Sequence, residues 1–71
     1  MADPNEDDLY MMRLAKRRAT VLVREEGSDD MRPATLISWR YGRNKTRARV
    51  QFADGAVALI NGKRIEVRAE P

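Results

Sequence analysis

The sequence predicts a mainly β fold: five short strands closing into a small barrel, preceded by an N-terminal α-helix. Two observations carry the strands. Over residues 46–52, Ala48, Val50 and Phe52 alternate with Arg47, Arg49 and Gln51, the period of a strand with one wet face. Two turn dipeptides, Asp54-Gly55 and Asn61-Gly62, then bracket an apolar run over 57–60. The second turn leads into 64–68, where Ile65 and Val67 alternate with Arg64, Glu66 and Arg68. Three strands joined by two tight turns are therefore expected as a meander. A meander this short does not hold together alone, so the remaining residues are expected to close it. The third observation is the acidic-to-basic gradient of the first eighteen residues, which reads as a helix.

In chain order, residues 1–5 are expected to be disordered, and the helix body is read over 6–18. Asp3-Pro4 fits an N-cap followed by proline at the first helical position. Glu6, Asp7 and Asp8 suit the positive end of the helix dipole, and the bases of 13–18 its negative end. Leu9, Met11, Met12 and Ala15 share a broad stripe, with Tyr10 and Leu14 as a second i,i+4 pair. Residues 20–24 form the first strand, with Val21 and Val23 on one face and Leu22 on the other. The polar stretch 25–33 carries turn chemistry, and Pro33 excludes it from a central strand. The second strand is placed over 34–41, with Ala34 and Leu36 on one face and Thr35, Ile37, Trp39 and Tyr41 on the other. A basic loop over 42–45 connects it to the third. Five strands of this length are the count of a small closed or half-closed barrel, here over 20–68. Residues 1–71 make one domain, near the lower size limit for a single core.

Composition narrows the chemistry. The chain has no cysteine and no histidine, so disulfides, thiolate sites and the common zinc constellations are excluded, and no cofactor is expected. Ser28 and Ser38 lack a base to activate them. The carboxylate pairs Asp7/Asp8, Glu25/Glu26 and Asp29/Asp30 are adjacent in sequence and expected to be solvated, so the chain is read as non-enzymatic. No apolar run spans a bilayer and the N-terminus is acidic, which leads to an expectation of a cytoplasmic protein without a membrane partner.

Fourteen Lys/Arg against eleven Asp/Glu give a net charge of +3, unevenly spread. Between 32 and 49 lie six bases (Arg32, Arg40, Arg43, Lys45, Arg47 and Arg49) and no acid.

The run Pro33-Ala34-Thr35-Leu36-Ile37, the basic loop, and Val50-Gln51-Phe52-Ala53-Asp54-Gly55 resemble Tudor- and KOW-type SH3-like small barrels. The resemblance implies an SH3-like barrel and specifies a shape rather than a ligand. Tudor domains that read methylated side chains carry a cage of several rings. Here only Tyr10, Trp39, Tyr41 and Phe52 are aromatic. A second resemblance runs through Leu59-Ile60-Asn61-Gly62-Lys63-Arg64-Ile65, which is similar to the second motif of Sm-like barrels, although their first motif has no counterpart here.

Two binding expectations follow. In the first, DNA or RNA is held by the 39–49 hairpin, with Arg40, Arg43, Lys45, Arg47 and Arg49 on phosphates and Trp39 and Tyr41 stacking on bases. In the second, the chain is a small regulatory or adaptor module of a larger protein assembly, held through Tyr10, Met11 and Leu14 of the helix and a barrel edge. Against both stands a plain structural account. Trp39 and Ile37 are then the floor on which the helix docks through Leu9 and Met12, and the arginines are an ordinary solvated face.

Overall fold

The computed structural model describes residues 5–43 and 45–67. Helix α1 spans Glu6–Lys16. Its N-cap is Asn5, whose side chain accepts from the Asp8 amide at 2.8 Å while Asp8 accepts from the Asn5 amide at 3.4 Å. This reciprocal capping box satisfies two orphan donors and replaces the expected cap at Asp3, so Asn5 is not part of a frayed tail. Residues 1–4 of that expected tail lie outside the described residues.

The helix ends two residues earlier than expected. The Ala19 amide bonds the Leu14 carbonyl at 3.0 Å and the Arg18 amide bonds the Ala15 carbonyl at 3.1 Å, a Schellman closure. Arg18 takes the left-handed position, φ 54°, that glycine fills most cheaply.

Five antiparallel strands follow: β1 (Thr20–Arg24), β2 (Met31–Arg40), β3 (Arg47–Phe52), β4 (Val57–Asn61) and β5 (Ile65–Val67). They form one sheet in the order β4-β3-β2-β1-β5. Strand β1 falls where its β-branched alternation placed it, with Val21 and Val23 buried. The β3–β4 hairpin also forms as read. Gly55 supplies φ 92°, its amide bonds the Phe52 carbonyl at 2.9 Å, and Asp54 Oδ1 accepts from the Ala56 amide at 3.0 Å.

Two expectations are overturned. Pro33 lies within β2, a central strand that begins at Met31, and sits opposite Leu22 of β1. It is tolerated because the Leu36 amide points toward Ala19 on the β1 side (2.9 Å). By strand alternation the Pro33 nitrogen points away from β1, toward the side where β3 has ended. The missing donor therefore costs no ladder bond.

The second correction concerns Asn61-Gly62, which does not make a hairpin. Asn61 Oδ1 accepts from the Lys63 amide at 3.0 Å and starts a 3-10 turn over Gly62–Arg64. That turn carries the chain to the far edge, where β5 pairs with β1. The meander of three strands is thus a two-stranded hairpin plus a remote strand. Arg68, expected in the last strand, lies outside the described residues.

Four steps of chain from Asn61 to Ile65 reach at most about 14 Å. Across a flat sheet the same two edges would stand about 19 Å apart. The sheet is therefore strongly bent, with its two edge strands unpaired to one another. Inside the bend, Val21, Leu36 and Val50 are fully buried, and Met11, Leu14 and Ala15 cover them from α1. Each such aliphatic side chain stabilises the fold by about 1.5–3 kcal/mol. No described helix is long and apolar enough to cross a membrane.

Candidate nucleic-acid interface

The face that β2 presents to solvent is decided by one irregularity. Between Leu36 and Ser38 the register with β3 shifts, leaving Ile37 as an extra residue. Leu36 lies opposite Val50, Ser38 opposite Arg49, Trp39 opposite Ala48, and Arg40 opposite Arg47. Residues opposite one another point to the same side. The bulge therefore turns Trp39 to the core face with Ala48 and brings Arg40 out beside Arg47. The expected row of Thr35, Ile37, Trp39 and Tyr41 on one face is corrected at Trp39, because the inserted residue inverts the parity of Ser38 to Arg40; Tyr41 lies beyond the end of the strand.

Helix α1 and the turn that closes it hold this part of β2 at two points. Arg18 donates from Nη1 to the Ile37 carbonyl at 2.9 Å. Trp39 donates from Nε1 to Asp8 Oδ1 at 3.0 Å. The far edge of the indole rests on Gly62, where a Cβ would stand 2.8 Å from Trp39 Cη2 and 2.9 Å from Thr46 Cγ2. Trp39 is thus half-buried and hydrogen-bonded beneath the helix, on the opposite face of β2 from Arg40.

What stands outward is a basic face. Arg40 on β2 and Arg47 and Arg49 on β3 are exposed, with Leu59 of β4 beside Arg49 and Asn61 beside Arg47. A shallow depression runs through them, bordered by Tyr41 and Lys45 from the connecting loop. Arg43 is exposed at the tip of that loop, whose Asn44 lies outside the described residues. The loop is closed tightly, since a Cβ on Gly42 would collide with the Lys45 carbonyl oxygen. Of the expected rings, Tyr41 alone remains at this face, 37% exposed.

Among the described residues no carboxylate pairs with these cations; the ion pairs present are Arg24–Glu66 and Arg32–Glu25. The direct opposition of Arg40 and Arg47 is electrostatically unfavourable in the free protein. The chain matches no known protein family, no curated protein and no solved structure.

The helix-borne residues separate. Met11 and Leu14 are 6% and 9% exposed and belong to the core, so they offer a partner nothing. Tyr10 is exposed, and so are Leu9 and Met12. Neither Arg18 nor Leu59 stands out as a site residue in the sequence. Leu59 follows from the alternation of β4, but no sequence signal announces that Arg18 reaches the carbonyl of a bulge.

Proposed function

We propose that the chain is a non-enzymatic, intracellular nucleic-acid-binding module of the Tudor/KOW-type SH3-like small-barrel kind. The strand order with β5 beside β1, and the 3-10 turn that delivers it, support the barrel reading. Binding rests on one observation: Arg40, Arg47 and Arg49 stand together on rigid strands, facing out, with no carboxylate between them. A planar guanidinium grips a phosphate with two parallel hydrogen bonds. Lys45 and Arg43 extend the track, and Tyr41 supplies a ring for one base.

Four phosphate contacts imply a log–log salt slope near −3.6 on duplex and near −2.8 on single strands. Raising salt from about 50 to about 200 mM then weakens binding roughly 150-fold and 50-fold respectively. Absence of binding at the lower salt refutes the reading. A second reading, an adaptor that docks a protein on α1, rests on the exposure of Tyr10, Leu9 and Met12. Capture of a partner that Tyr10→Glu abolishes, with the fold intact and no oligonucleotide binding, would establish it.

A further inference from the structure

Beside the basic face lies a groove that the reading above leaves unused. Its apolar floor is formed by Leu9 and Met12 of α1 and by Ile37 and the indole of Trp39 from β2. Arg13, Lys16 and Arg18 line the same groove, and no described carboxylate does. Ser38 borders both this groove and the depression among Arg40, Arg47 and Arg49. The two therefore adjoin at a single β2 residue, with cations on both sides of it.

We infer that the groove is a base-binding subsite for single-stranded nucleic acid, whose backbone continues across Ser38 onto the Arg40/Arg47/Arg49 face. This inference rests on the proposed nucleic-acid reading and adds strand selectivity to it. An apolar slot rimmed by cations matches an unpaired nucleotide, a flat base attached to a phosphate. A duplex keeps its bases stacked inside and presents phosphates alone, so it engages the basic face without filling the slot. Lys16 and Arg13 thus act on phosphates in addition to complementing the C-terminal end of the helix dipole. Arg18 is committed to the Ile37 carbonyl and shapes the slot.

Trp39 is the one tryptophan of the chain and reports on the groove directly. The test titrates the full chain with a single-stranded thymidine oligomer of about 12 nucleotides and with a duplex of the same length. The single strand is expected to quench Trp39 emission and the duplex to bind without doing so. Replacing Arg13→Ala and Lys16→Ala together should lower the single-strand salt slope by about 1.4, so that a fourfold rise in salt costs roughly sevenfold less affinity, while leaving the duplex slope unchanged. The inference is overturned if the single strand binds through Arg47 and Arg49 with Trp39 silent, or if the double variant weakens both ligands equally. It is also overturned if a Glu/Leu-alternating peptide, and not the oligomer, shifts Trp39 emission, which assigns the slot to a protein. Failure of both oligonucleotides to bind at about 50 mM salt is a different result, and it removes the nucleic-acid reading itself.

Discussion

The two sides of the sheet use the same residue in opposite ways. Toward the β1–β5 edge every described arginine is tied down. Arg24 meets Glu66 at 2.7 Å, and Arg64 donates to the Arg24 carbonyl at 2.8 Å. Arg32 meets Glu25 at 3.3 Å and lies 4.5 Å from the centre of the Phe52 ring. On the outer face of β2, β3 and β4, Arg40, Arg47 and Arg49 have no such partners among the described residues. Exposed ion pairs contribute at most about 1 kcal/mol, so stability does not explain the contrast. The difference is one of availability: one side holds arginines bonded to neighbouring residues, the other holds arginines without such partners among the described residues.

The contrast breaks most severely by reversing charge on the open side. Arg47→Glu with Arg49→Glu should lower oligonucleotide affinity about 100-fold at low salt, measured by fluorescence anisotropy, whereas Arg24→Glu changes it by less than about threefold. An unaffected affinity in the first variant would show that the open face is not the binding face.

A smaller effect concerns the link between the helix and this face. Asp8→Ala removes the acceptor of the Trp39 indole N–H and half of the capping box, which should cost about 1–2 kcal/mol in urea unfolding and shift Trp39 emission to the red. Smaller again, and opposite in sign, is Arg47→Glu alone. It places unlike charges at the Arg40 position pair and should raise stability by about 0.5 kcal/mol, or roughly 2–4 °C in Tm, while binding falls. Loss of stability there would mean that Arg40 and Arg47 do not repel one another. The smallest effect is expected on the tied side: a double-mutant cycle on Arg24 and Glu66 should return a coupling of about 0.2–1 kcal/mol that fades at about 1 M salt.

These two sides were unequally legible from residues alone. The outward pairing of Arg47 and Arg49 is a property of alternation within β3, and it survives folding unchanged. Arg40 entered the site as one base among several in a hairpin, and its place opposite Arg47 depends on the bulge at Ile37. By local pattern Trp39 fits a stacking ring and the floor under the helix equally well. The deciding contacts, Arg18 with Ile37 and Asp8 with Trp39, join residues 19 and 31 positions apart.

Local chemistry alone determined the strand at Thr20–Arg24, the turn at Gly55, the helix with its acidic start and basic end, and the charge of the 40–49 segment. Each depends on backbone preferences and side-chain spacing within a few residues. Tertiary structure decided how far β2 extends, which side of it faces solvent, and whether Asn61-Gly62 reverses the chain or sends it across to β1. Asn-Gly suits a hairpin and an Asx-started 3-10 turn equally well. Gly62, packed under Trp39, and the pairing of β5 with β1 select the second, because only the assembled sheet presents the indole and the open edge together.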